Sequence, residues 1–154
     1  MSQTNIFNVA KHIIDSCGEM TTMKLQKLAY YCQAWSLAWD EKPLFEEDFE
    51  AWENGPVCRD LYEKHKGLFV VGKKFLNEIP KHIFLKEEAE TIKAVLDYYG
   101  DKEPHWLIEL THKELPWKEA RRGCADGARC NNIISKQSMQ SYYGGLIAQN
   151  AQAQ

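Results

Sequence analysis

The sequence predicts a mainly α fold: a compact single domain of about six or seven helices, with at most a small β-hairpin or short strands. Three observations predict it. Apolar residues recur three and four apart over long stretches, the spacing of one helix face. Capping residues, Gly and Pro punctuate those stretches at intervals that suit helices. Extended chain is hinted at only briefly, around Phe49, Ala51 and Trp52 and again from Leu68 to Val71.

The organising element is a helix over Thr21 to Trp39. Leu25, Leu28, Cys32, Trp35 and Trp39 form its apolar stripe, and a second seam through Ala29, Tyr30, Ala34, Leu37 and Ala38 predicts cover on more than one side. Thr21 or Thr22 supplies the N-cap, and Lys42-Pro43 limits continuation past Asp40. Before it, Thr4 caps a helix ending near Cys17, with Ile6, Val9, Ala10, Ile13 and Ile14 inward and Gly18 beyond its end.

After the central helix, Asn54-Gly55-Pro56 reads as a turn, with Pro56 opening a helix from Val57 to Lys66. Leu68, Phe69, Val70 and Val71 read as a short buried strand or part of an irregular wrap. Glu87 to Tyr99 is an amphipathic helix with an acidic first turn and Gly100 as its stop. Pro104 opens a short helix whose apolar side is Trp106, Leu107, Leu110 and Thr111. Pro116 breaks it, Trp117 to Arg122 form another turn or two, and Gly123 to Asn132 is a loop. Ile133 and Ile134 return to the core, and Ser135 caps a last helix to Tyr143. The expected domain therefore spans residues 1–143, with a flexible polar tail over residues 144–154.

The chain has 154 residues, enough for one sizeable core, and a formal charge of −3 with pI near 6.0. That balance argues against dedicated nucleic-acid binding without a partner. Charge is nonetheless uneven: residues 40–53 are acidic and residues 113–136 basic, two faces able to attract each other or partners of opposite sign. No apolar run suits a membrane span and no signal peptide is visible, so a cytoplasmic location is expected. Five cysteines without a CxxC pair suit reduced thiols.

Catalytic and metal chemistry find little footing. Cys124 and Cys130 with His112 match no usual zinc spacing and lack a fourth ligand. Cys58, in the expected first turn of its helix, gains acidity from the dipole, but no base is near in sequence and His65 faces elsewhere. Glu109 and His112 lie three apart, a spacing more typical of surface contacts. Phosphate-binding loops and a nucleophile elbow are missing. No catalytic residue, metal or cofactor is assigned.

Recognition is the better-supported role. Lys24, Lys27 and Tyr31, with Gln33 and Ala34 beside them, lie off the apolar stripe and form a candidate partner-binding flank. Trp52 is either an exposed anchor or a lid over the core, and Arg121 and Arg122 add a basic candidate contact.

Three motifs, KLQKLAYY at Lys24 to Tyr31, EAWENGPV at Glu50 to Val57 and ELTHKELPWKEAR at Glu109 to Arg121, together resemble the Panacea domain, or SocA-like antitoxin family. The resemblance runs from about Met20 to Tyr143. It marks Lys24, Leu25, Lys27, Leu28, Tyr31, Trp52, Gly55, Pro56, Val57, Thr111, His112, Pro116 and Trp117 as family-like, with Leu25, Leu28, Gly55, Pro56, Val57, Pro116 and Trp117 read as structural. Cys58 and Arg59 after the GPV triplet, and the loop over Gly123 to Asn132, depart from the family's pattern. The resemblance implies a mainly helical antitoxin of a phage-associated bacterial toxin-antitoxin module. Its implied partner is a cognate protein toxin, neutralised by direct contact, and its alternative role is delivery of that toxin to a ClpXP-type protease.

Overall fold

The computed structural model describes residues 3–153, with side chains described through residue 149. Among them are seven helices and five short strands in two small antiparallel sheets. Helix α1 (Ile6–Cys17) starts one residue later than expected, because Asn5 rather than Thr4 is the cap. Asn5 and Asn8 each accept the other's backbone N–H at 2.9 Å, whereas the Thr4 hydroxyl turns to His82 and Glu88.

Strand β1 (Met20–Thr21) leads directly into the central helix α2 (Thr22–Trp39), where the Thr21 hydroxyl caps Lys24 N–H. Its cover explains its weak amphipathicity: α2 touches α1, the hairpin and three later helices. Polar residues inside that cover satisfy loop backbone that would otherwise be buried unpaired. Gln33 accepts from Leu44 N–H and donates to the Phe45 carbonyl, both at 2.7 Å, while Ser36 donates to the Lys42 carbonyl. The stripe is buried from Leu25 through Cys32 but thins toward the C-terminus, where Trp39 stands 45% exposed.

Strands β2 (Phe49–Trp52) and β3 (Gly55–Cys58) form a hairpin whose two-residue loop is Glu53-Asn54, with Gly55 at φ +105°. Pro56 thus lies in a strand, and helix α3 (Arg59–His65) begins only after Cys58. β3 is an edge strand, so the missing Pro56 N–H costs no ladder bond, while Ala51 N–H opposite it donates to the Asn132 carbonyl.

Strand β4 (Val70–Val71) pairs with β1, yet only Val71 of the Leu68 to Val71 run is buried. Helix α4 (Lys86–Tyr99) follows, and then α5 (Pro104–Lys113), on which Trp106 is 39% exposed instead of facing the core. α6 (Leu115–Ala120) contains Pro116 in its first turn, where no intrahelical N–H is required, so the proline lies within the helix rather than before it. β5 (Ile133–Ile134) completes the hairpin sheet in the order β3-β2-β5.

Helix α7 (Lys136–Ala153) does not stop at Tyr143. It continues through Gly144 and Gly145, and Leu146 packs against the core. Each internal glycine costs about 1 kcal/mol relative to Ala, a cost that packing by Tyr143 and Leu146 opposes. Gln154, the end of the expected tail, lies outside the described residues, as do Met1 and Ser2.

The acidic and basic stretches meet in part: Lys136 pairs with Asp48 at 2.8 Å and also donates to the Glu46 carbonyl. Among the described residues, no helix is long and apolar enough to cross a membrane.

Candidate functional site

The first turns of α2, the hairpin loop, α3 and the loop after α6 line a half-open cavity of about 360 Å³. Apolar and aromatic walls come from Met23, Val57, Trp52 and Tyr62. Gln26, Lys27 and His65 supply polar groups, and Arg129 belongs to the loop that forms one side.

Lys27 is the unusual member. Only 1% of it is exposed, and among the described residues no carboxylate pairs with its ammonium. Burial lowers its pKa from 10.5 to about 7. A lysine stem needs room to reach this position, and Gly55 provides it: a β-carbon there would stand 2.6 Å from Lys27 Cε and 2.8 Å from Thr111 Oγ1.

Gln26 builds the adjoining wall. Its Oε1 accepts from Cys58 N–H at 2.8 Å and its Nε2 donates to the Cys58 carbonyl, which fixes the amide's orientation. Nε2 therefore faces His65 Nε2 at 2.9 Å, and the imidazole must accept. Burial lowers the His65 pKa, in keeping with a neutral ring. His112 also has a lowered pKa, first from burial; it bonds the Glu53 backbone and stacks on Trp117 at 4.1 Å. Its Nε2 is buried with no hydrogen-bond partner among the described residues.

Several sequence expectations change here. Lys27, Tyr31 and Gln33 are buried, so with half-buried Lys24 they do not make an exposed flank. Tyr31 instead joins an internal cluster in which its hydroxyl and that of Tyr143 each donate to Glu114 at 2.7 Å. Trp52 is half-buried: its ring meets Tyr62, its indole N–H donates to Glu50, and Arg59 lies over it. Arg121 is 8% exposed and donates to the carbonyls of Ala51, Ala125 and Ala128, whereas Arg122 is exposed. Of the candidate partner residues, the cavity brings together Lys27 and Trp52 alone.

The chemical candidates move as well. Burial pushes the Cys58 thiol up to about 12, against the lowering expected from a helix start. Cys124 and Cys130 form a disulfide rather than reduced thiols. Glu109 pairs with His105 at 3.1 Å and acts on His112 only through its charge. Gln26, Tyr62 and His65 are not among the residues that the sequence marks for partner binding. The available signal was a pair of glutamines, Gln26 and Gln33, on a helix with apolar residues on all sides.

A second concavity lies across α2, α4, α5 and α7, where Trp35, Trp39, Tyr98, Trp106 and Leu110 form an aromatic groove. Tyr98 is 60% exposed, and Lys102 lies over both Tyr98 and Trp106.

No curated protein and no solved structure matches the chain. A family model does match, over residues 25–118, which takes in α2, the hairpin and the helices through Trp117. The chain therefore belongs to the family described as antitoxin SocA-like, Panacea domain.

Proposed function

We propose that this chain is the non-catalytic antitoxin of a toxin-antitoxin module and neutralises a cognate protein toxin by direct binding in the cytoplasm. Membership of the antitoxin SocA-like family carries the reading, since that family description implies a toxin partner in general. The exposed aromatic groove lends it support, because aromatic residues concentrate binding energy at protein interfaces. A second reading, delivery of the toxin to a ClpXP-type protease, rests on the same family resemblance.

Coexpression with the product of the adjacent gene tests the first reading. Rescue of growth and a copurifying complex are expected; no toxic neighbour, or no complex, refutes it. Toxin half-life separates the two mechanisms. Sequestration leaves it unchanged or longer, whereas adaptor activity shortens it only when the protease is intact.

A further inference from the structure

We propose that the cavity beside Lys27 binds a monocarboxylate ligand with an apolar or aromatic body. The argument begins with charge. An ammonium held in a site with 1% exposure and, among the described residues, no carboxylate partner is costly, and an incoming anion is the chemical group that relieves the cost. Lys27 borders the cavity itself, so the relieving anion has a place to sit. Among the described residues, the only acid in the cavity wall is Glu53, an exposed residue of the hairpin loop.

The walls select the rest of the ligand. Met23, Val57, Trp52 and Tyr62 suit an apolar or aromatic body, and the volume of about 360 Å³ falls in the range of small-molecule sites. Lys27 is the one buried cation of the wall, with Arg129 at its exposed rim, and a single buried cation suits one negative charge, whereas a phosphate dianion calls for more donors. Gly55 is part of the design, since a side chain there would collide with the Lys27 stem. Such a carboxylate is either a free small acid or an acidic side chain presented by a protein partner, and both use the same chemistry.

Sodium benzoate is a suitable probe, with benzamide as its neutral isostere and inorganic phosphate as the competing anion. Amide spectra of the full chain are recorded during each titration at constant ionic strength near pH 7. Saturable benzoate shifts centred on Gln26, Lys27, Asn54 and His65 are expected, with benzamide and phosphate at least about tenfold weaker. Lys27→Met should keep the folded spectrum and weaken benzoate by about tenfold or more. The proposal is overturned by no saturation up to about 20 mM, by equal binding of benzamide, by tighter phosphate binding, or by unchanged affinity in Lys27→Met.

Repeating the titration on the toxin complex identifies the natural source. Displacement of toxin by benzoate assigns the carboxylate to the partner, and undisturbed benzoate binding assigns it to a free acid. The first titration needs no toxin, so the carboxylate site and the antitoxin reading stand or fall separately.

Discussion

Gly55 and Lys27 occupy complementary space: the β-carbon that residue 55 lacks would lie 2.6 Å from Lys27 Cε. Gly55 also has φ +105°, a conformation that side chains adopt only with strain. Gly55→Ala should therefore cost about 2 to 4 kcal/mol in urea unfolding. In a Lys27→Ala background the clash with the lysine stem disappears while the Thr111 contact and the backbone term remain, so the cost should fall by about 1 kcal/mol. Equal costs in both backgrounds would show that the two residues do not compete for space.

Lys27 should make stability depend on pH. Its pKa is about 7 in the folded chain and 10.5 in its ordinary state, so the unfolded chain binds more protons between those values. Stability then rises with pH through that window, by up to about 1.4 kcal/mol per unit. Lys27→Met should remove this slope and stabilise the protein at pH 7 by about 2 to 4 kcal/mol. Tyrosines and thiols with raised pKa values oppose the rise at high pH. The comparison to make is therefore wild type minus variant from pH 7 to 9, and parallel curves would contradict the assignment.

Glu114 joins α5 to α6 in extended backbone and accepts hydroxyl protons from Tyr31 and Tyr143. Burial raises its pKa despite those bonds. Glu114→Gln keeps an acceptor and should cost about 1 kcal/mol or less, whereas Glu114→Ala strands the buried Tyr31 hydroxyl, leaves Tyr143 only its longer bond to Tyr30, and should cost about 2 to 4 kcal/mol. Chemical denaturation at pH 7 compares them, and a similar loss in both would mean the hydroxyls do not depend on this acceptor.

The apolar stripe of α2 should show a gradient. Leu28 is 0% exposed, and Leu28→Ala should cost about 2 to 5 kcal/mol. Trp39, at 45% exposure, should lose much less on truncation, about 1 kcal/mol. Comparable losses would show that Trp39 is packed as tightly as Leu28.

Thiol accessibility gives an independent check on the C-terminal half. Cys17 is exposed, Cys32 and Cys58 are buried, and Cys124 is joined to Cys130. Mass spectrometry of the alkylated native protein should find Cys17 labelled first, with Cys124 and Cys130 joining only after reduction. Prompt labelling of both without reductant would contradict the disulfide.

The helices were readable because their signals are local. Thr21 caps α2, Gly18 follows α1, and Pro104 opens α5, each within a few residues of the boundary it sets. Pro56 misled because a proline before an apolar run marks a helix start in isolation. Its strand character depends on pairing with Ala51 and on an edge position. Lys27 misled for the same reason on a longer scale. A lysine among apolar residues is ordinarily an exposed one, and its burial here depends on Gly55 and the cavity walls. Lys27, Tyr31 and Gln33 are buried and form no exposed flank, and Lys27 and Trp52 line the cavity instead.

Arg121 connects parts of the molecule that the sequence keeps far apart. Its guanidinium holds the Ala51 carbonyl beside the hairpin and the Ala125 and Ala128 carbonyls in the loop that carries Arg129 and Cys130. All three acceptors are backbone atoms, which every amino acid possesses. Apart from Cys124 and Cys130, whose disulfide also ties the loop, and Asn132, whose side chain bonds the Ala120 carbonyl, side chains along it can therefore be exchanged without removing the Arg121 bonds. Arg129 can change the character of the cavity rim while the rim keeps its place, which makes the loop a natural site for grafting new specificity.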